Sequence, residues 1–415
     1  MRFGTLVYYE IKKILSNRIS VLLLILAALF MPLEMSWLYI NTPENRDVWE
    51  RESALEGRIM DEAFFEEFNR VFFDEDDGEK QDQWLLARMY MTKVFRYSRP
   101  SSGIYGPEFY EDWTADLFYE TRETVIHDFA DEFYLTDEER AYWKAQEDFI
   151  REPFTYRSTR DIQMIRDSYQ FTLFMSCMLV ALFLAGGFSG ESEKGTDALI
   201  YSSRYGRGRT MAAKIVSGCA FSFITGLVMI ISAHIPVVVF SGLQGLHAPW
   251  YMVTPFSSLS VVAWKMLLLY ALVLLTGCVL TGLLAMLLSM LFDKTIAAAG
   301  CVFVLIITDL FLTVPTRMRV LSQIRYLTPN SVLLNTNVPD MRLIKVFDQY
   351  LVSLQAGPFL YVFLGAILVT LMIPVFRRRC VRGAKTLIFR RFSGIINAIN
   401  TGKTEDSAIN YGQTD

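Results

Sequence analysis

Six stretches of this chain are apolar enough, for long enough, to cross a bilayer: residues 19–37, 169–188, 215–240, 266–292, 295–314 and 358–376. A helix needs about 20 mostly apolar residues to span the hydrocarbon core. Pro236 and Pro374 fall near the ends of their stretches, where a lost backbone hydrogen bond is tolerated. Between the first two stretches the pattern changes. Phe64, Phe65, Phe68, Val71 and Phe72 recur three and four residues apart beside Glu66, Glu67 and Arg70, the signature of an amphipathic helix. Further helices are expected over 82–95, 108–134, and from the capping-box pattern Thr136–Glu139 to about residue 149. Residues 98–107 hold two Pro and two Gly and read as a loop. The expected fold is an all-α polytopic membrane protein with six transmembrane helices and a helical extracellular domain inserted between the first and second.

The ends of the chain carry amphipathic patterns of their own. Over residues 3–18, Phe3, Leu6, Val7, Ile11, Ile14 and Leu15 gather near one face, with Lys12 and Lys13 beside or opposite them, as in a helix lying in a membrane interface. In the tail, Ile388, Phe392, Ile395 and Ile399 recur at four, three and four among the basic residues Arg377, Arg378, Arg379, Arg382, Lys385, Arg390 and Arg391. That pattern suits a helix on an anionic leaflet, and the last fifteen residues read as disordered. The domain plan is thus 1–18 interfacial helix, 19–40 first span, 41–167 extracellular domain, 168–376 five further spans, and 377–415 basic tail. The 168–376 region includes a polar loop at 189–214 and an outer re-entrant segment at 315–357.

Charge orients this plan. The chain has 415 residues, is 52% hydrophobic and carries a formal net charge of −4. Residues 41–167 alone hold 32 acids against 16 bases, while the remainder holds 12 acids and 24 bases. With the N-terminus inside, the inner segments carry 18 Lys or Arg and the short outer segments six, which by the positive-inside rule places both termini in the cytoplasm. Trp37, Tyr39, Trp250, Tyr251 and Trp264 then fall at the outer interface as an aromatic belt. The segment 315–357 is more basic than its outer position calls for. Lys12, Lys13 and Arg18 before an apolar run resemble a signal peptide, but no small-residue cleavage pattern follows, so a retained first span is expected. The five cysteines, Cys177, Cys219, Cys278, Cys301 and Cys380, match no metal or redox spacing and read as packing thiols.

Catalytic chemistry has no foothold in this sequence. His127, His234 and His247 are widely separated, and neither HExxH nor GxSxG occurs. Gly402-Lys403-Thr404 ends like a phosphate loop, but Asn397 stands where the first glycine belongs and too little chain follows for a nucleotide domain. The acidic run 74–79 fails the calcium-loop pattern, with Phe73 at the first ligand position and Trp84 at the last. The acidity of 41–167 suits a solvated surface, with attraction of a cationic substrate as the alternative. Two polar residues lie inside apolar stretches, His234 and Asp309; an ionisable group in lipid is costly, so both are functional candidates, against the plainer reading of groups near helix ends that reach interfacial water.

The polar loop after the second stretch is the most patterned part of the chain. It holds an acidic pair, Glu191 and Glu193, then Gly195-Thr196, an apolar pair at Leu199 and Ile200, a Gly/Arg cluster of Arg204, Gly206, Arg207 and Arg209, and Lys214 opening the next span. Positive charge alone would serve topology, but it does not explain the acids with Gly-Thr. Acids toward the start of a short helix and arginines toward its end would suit the helix dipole. This Glu-x-x-x-Gly-Thr pattern with its basic sequel resembles the permease subunits of ATP-binding-cassette exporters of the type-2 class. The six-span layout, the amphipathic N-terminal helix and the outer re-entrant segment are similar as well; the long acidic insertion departs from the family's shorter first outer loop.

The resemblance implies a bacterial, multi-pass cell-membrane permease that forms a pathway for ATP-driven export of an amphipathic, peptide or lipid-like substrate. It implies cytoplasmic ATPase subunits as partners, a second permease subunit in a homo- or heterodimer, contact with membrane lipids, and no nucleic acid. The chain would be no enzyme and would bind no cofactor or metal, ATP and Mg belonging to the ATPase. The coupling loop would be Glu191, Glu193, Gly195, Thr196, Arg204, Arg207 and Arg209. The alternative is a membrane sensor or receptor with an extracellular ligand-binding domain.

Overall fold

The structure, a computed structural model, describes residues 2–41, 54–74, 78–96, 113–202, 208–334, 340–346 and 349–379. The loop expected at 98–107 and the tail beyond 379 lie outside these residues. Five of the described helices are long and apolar enough to cross a membrane: Arg18–Asn41, Arg160–Glu193, Arg209–Ser241, Ala263–Leu291 and Ser353–Arg379. The remaining expected span, fifth in chain order, corresponds to the shorter apolar helix Thr295–Phe311, of 17 residues. At about 1.5 Å per residue it reaches about 25 Å, short of a hydrocarbon core of about 30 Å. The expected span to 314 ends early because Leu312 turns to extended backbone and its carbonyl accepts from Arg325 Nε (2.8 Å).

The second and fourth spans form the centre of the bundle, and the first and sixth lie at its edge with largely uncovered apolar faces. Successive helices alternate in direction. The N-terminal helix Phe3–Ile14, the turn after Glu193 and the end of the sixth span meet at one end of the bundle. The acidic domain and the segment between the fifth and sixth spans meet at the other.

That intervening segment dips into the bundle. It comprises the helices Arg319–Tyr326 and Pro329–Val332, then an antiparallel hairpin of β1 (Ile344–Val346) and β2 (Gln349–Leu351) in which Lys345 faces Tyr350. Pro329 packs against Gly277, the midpoint of the fourth span, so closely that a Cβ there would lie 3.0 Å from the proline Cβ. A side chain at this position would force the segment to give by a few tenths of an ångström. Gln170 of the second span donates to Asn330 (3.2 Å) and Tyr361 of the sixth to the Leu327 carbonyl (2.9 Å).

The acidic domain has an aromatic core of its own. Phe64, Phe65, Phe68, Trp84, Phe95, Trp113, Phe118 and Phe154 are all buried against one another. The helices Glu62–Asn69, Leu85–Phe95, Ala115–Glu132 and Asp137–Glu147 supply most of it, close to the expected positions. Its base rests on the loop between the third and fourth spans. Buried Arg122 donates to the Pro255 (2.9 Å) and Ser257 (3.2 Å) carbonyls, Tyr90 to the Tyr251 carbonyl (3.1 Å), and Thr159 to the Met252 carbonyl (2.9 Å). The expected aromatic belt is corrected here: Trp37 and Trp264 are exposed, but Tyr39 and Trp250 are buried, because Tyr39 stacks on Phe240 and Trp250 packs on Tyr270 in the protein core.

A second set of contacts fastens the domain to the re-entrant segment. The expected capping box at Thr136 and Glu139 is complete, and its glutamate does more than cap. Glu139 also accepts from Arg319 Nη2 (2.6 Å) and from the Leu343 amide (3.0 Å), while Trp143 Nε1 donates to the Met341 carbonyl (2.6 Å). Arg342 is fully buried, paired with Asp340 (2.8 Å), bonded to Ser322 (2.5 Å), and set over the rings of Phe133 (5.4 Å) and Tyr326 (4.8 Å). The surplus of positive charge in 315–357 is thereby explained: Arg319, Arg325, Arg342 and Lys345 each face a carboxylate, at Glu139, Asp309, Asp340 and Glu138.

Two outcomes follow from this fastening. Arg342→Met leaves Asp340 buried and unpaired and is expected to cost about 3 kcal/mol, as when a buried ion pair loses one partner. Thermal unfolding of the purified chain measures it, with the additional change Asp340→Asn restoring most of the loss; a single variant that melts like wild type refutes the assignment. Burial opposes ionisation of Glu139, but the hydrogen bonds from Arg319, Thr136 and Leu343 outweigh it and hold its pKa below the ordinary 4.5. A depressed carboxylate pKa stabilises fully above the ordinary value and loses its effect as pH falls through the folded-state value. Hydrogen-exchange protection of the Leu343 amide should therefore be constant above pH 4.5 and fall below it, and Glu139→Gln should remove this pH dependence.

Candidate coupling site

The site at the termini end is built by the way the second span stops. The span runs past its expected end, through Gly186–Glu193, and terminates at Gly195 with φ +65°. The Thr196 amide bonds the Glu191 carbonyl and the Gly195 amide bonds the Ser192 carbonyl, both at 3.0 Å. This pair of bonds is the Schellman termination, which needs a left-handed residue and so favours glycine. Thr196 then opens the short helix Asp197–Ser202, its carbonyl accepting from the Ile200 amide (3.1 Å). The spacing Glu-x-x-x-Gly-Thr is thus a helix stop followed by a helix start. Glu191 and Glu193 lie before the stop, near the unfavourable end of a helix dipole, not at the start of one helix as the sequence suggested.

Each acid has cations or donors that offset this. Glu191 is 2% exposed. Its Oε1 accepts from Lys214 Nζ (2.6 Å) and from Lys13 Nζ, which reaches over from the N-terminal helix. Lys214 is buried too, bonded to the Gly187 carbonyl (2.8 Å), 3.3 Å from Glu10, and 5.1 Å above the Phe188 ring. Burial works against the charge on Lys13, but Glu191 beside it prevails, and its pKa is raised. Two carboxylates and two ammonium groups therefore join the N-terminal helix to the second and third spans with no net charge.

Glu193 caps the fifth helix. Its carboxylate accepts from the Thr295 amide (2.8 Å) and hydroxyl (3.1 Å), placing negative charge at a helix N-terminus. Ser289 of the fourth span accepts from the Phe188 (3.0 Å) and Ser189 (2.9 Å) amides. Arg379 closes the arrangement. The sequence grouped it with the lipid-facing tail, yet it is 9% exposed, because the sixth span continues to it and turns it inward. Its guanidinium donates to the carbonyls of Ser289 (2.8 Å) and Met290 (2.6 Å) and to Ser192 Oγ (2.6 Å). A cation on the last carbonyls of a helix suits the dipole.

The other candidates separate. Arg209 is exposed at the start of the third span, and Arg377 and Arg378 are exposed beside Arg379. Arg204, Arg207, Arg382, Lys385, Arg390 and Arg391 lie outside the described residues. His234 is far from the coupling site, 3.2 Å from Ser168 Oγ and edge-on to Tyr169. Asp309 sits about 21 Å along its helix from Thr295 and pairs with Arg325 (3.2 Å), so a protein cation answers its charge. Sequence reasoning named Lys214 only as the residue opening a span and overlooked Glu10 altogether; an acid and a lysine three residues apart in an interfacial helix were the available signal. Among the described residues no group of His, Cys, Asp and Glu could hold a metal ion.

These helices, and the segment that ties them together, define a polytopic membrane subunit with a structured turn at its polar end. The chain matches the family described as ABC-2 family transporter protein over residues 5–379, and it belongs to that family. It is accordingly a permease of the ATP-binding-cassette class, whose partners include an ATPase subunit. No curated protein and no solved structure matches it.

Glu191→Gln removes the nearer of the two carboxylates at buried Lys214, leaving two ammonium groups to share Glu10, and is expected to destabilise the purified chain by about 3 kcal/mol. Gly195→Ala meets no neighbour within 4 Å, so only backbone strain counts, about 1 kcal/mol. Thermal melting of the two variants side by side checks the ranking; equal melting points would contradict it.

Proposed function

We propose that this chain is the membrane pathway of an exporter, driven by a separate ATPase that docks on the turn after Glu193. The acidic domain faces the cell exterior, and both termini face the cytoplasm of a bacterial cell. Two permeases, identical or related, form the pathway, and ATP and Mg bind to the ATPase alone. The cargo is amphipathic, a peptide or lipid-like molecule, consistent with the few charges in the spans. The chain itself catalyses no reaction.

One observation carries this reading. The segment 186–196 touches the N-terminal helix and the third, fourth, fifth and sixth membrane helices through Lys13, Lys214, Ser289, Thr295 and Arg379. A displacement there moves nearly the whole bundle. Just beyond it, Leu199 is 71% exposed on the short helix Asp197–Ser202, an apolar side chain open to a partner.

Co-purification from native membranes in mild detergent tests the partnership: wild type should retain a P-loop ATPase, and Leu199→Asp should lose it while the permease still elutes as a folded species. Glu191→Lys and Gly195→Pro should insert in the membrane but abolish transport-coupled ATP hydrolysis. Normal coupling in those two variants would falsify the assignment.

A further inference from the structure

A cavity of about 290 Å³ lies between the second, fourth and fifth membrane helices of this single chain. Leu173, Phe174, Leu284, Leu305 and Ile306 make its walls. Its roof is polar and comes from Asp309 and from Thr328 and Asn330 of the re-entrant segment. A largely apolar pocket, open on one side and with a few polar groups at one end, is a usual form of small-molecule site. Here the shape fits a molecule with one apolar chain and a small polar head.

The roof selects the head. Asp309 Oδ1 is held by Arg325 (3.2 Å), while Oδ2 has no hydrogen-bond partner among the described residues. Arg325 aims its own donors elsewhere: Nε at the Leu312 carbonyl (2.8 Å), Nη1 at Asp309 and Thr328 (2.8 Å), and Nη2 at the Asp309 carbonyl. It does not line the cavity, so no cation is offered to an anionic head. What remains open is the second oxygen of a carboxylate already paired with Arg325, an acceptor that a further cationic donor can satisfy, as a second lysine does at Glu191. A protonated amine satisfies it best, a hydroxyl less well, and a carboxylate is repelled.

Depth separates this site from ordinary lipid contact. Asp309 stands about 21 Å along its helix from Thr295 and lines a pocket walled by three helices, whereas a surrounding phospholipid keeps its head at the surface. Pro329, which packs on Gly277, lines the same pocket. We infer that the cavity beneath the re-entrant segment is a binding site for a single-chain amphiphile with a cationic amine head, the head seated on Asp309. This deepens the export reading and rests on it for the claim that the occupant is cargo; occupancy itself does not.

The test uses the purified full chain in phosphatidylcholine nanodiscs and a tetradecylamine carrying a chain diazirine as probe. Photolabelling should favour the peptides containing residues 173–177 and 302–309 over those with lipid-exposed Val239 and Phe359 by about ten-fold, the preference of a site over annular contact. Dodecylamine should compete well, dodecanol less, and dodecanoate not at all. Ile306→Trp, which fills the chamber, should abolish the preference, and Leu305→Trp, at the more exposed wall, provides the same check should the first variant fail to fold. Asp309→Asn should reduce dodecylamine to the potency of dodecanol. Even labelling of lipid-facing peptides, competition by dodecanoate equal to that by dodecylamine, or a preference that survives both tryptophans overturns the site. No nucleotide or ATPase enters the assay. Lost labelling therefore counts against the cavity alone, and retained labelling without a recoverable ATPase counts against export alone.

Discussion

The buried carboxylate of Glu191 between two lysines is the constraint on which the termini end of this protein depends. A charge at 2% exposure is tolerated only when it is paired and hydrogen-bonded. Lys214 lies in the third span and Lys13 in the N-terminal helix, so satisfying Glu191 fixes three elements relative to one another. The glycine stop four residues later then has a defined position, and Glu193 and Ser192 are presented to the fifth and sixth helices. Each of these bonds is modest alone. Their convergence on eleven consecutive residues makes the segment a joint and not a loop.

Much of this was legible in the chain. The apolar runs gave the helices, because span length is a direct consequence of bilayer thickness. The Thr136–Glu139 capping box was legible because it is a local motif whose partners are three residues apart. The joint was only half legible. Gly195-Thr196 stood out as a pattern, but the lysines that answer Glu191 come from positions 178 and 23 residues away, and sequence spacing carries no trace of such pairings. Arg379 misled for the same reason: three consecutive arginines look alike, and only helix rotation turns one of them inward.

The excess of basic residues in 315–357 shows how a charge rule fails informatively. Counting Lys and Arg assumes that each is free to act on the membrane field. In this segment four of them are neutralised by carboxylates within the protein, two of these on the acidic domain. The acidic domain, in turn, is less a free module than its length and net charge suggest, since Glu138 and Glu139 are committed to that segment.

The two ends of the molecule share one continuous element. The second span runs from Arg160 to Glu193, 34 residues, or about 51 Å of helix. At its first turn Asp161 accepts from the Gly245 amide (3.0 Å) beneath the acidic domain, and Gln170 holds Asn330 of the re-entrant segment. At its last turn are Glu191 and Glu193. The helix is interrupted only at Ala185, whose backbone keeps helical angles, so the contacts at its two ends sit on one run of chain. The segment between the fifth and sixth spans is attached to this run by Asn330, to the fourth span by Pro329 on Gly277, and to the acidic domain by Glu139 and Trp143. The ion pairs that fold the insertion into place therefore also tie it, through that segment, to the second and fourth spans.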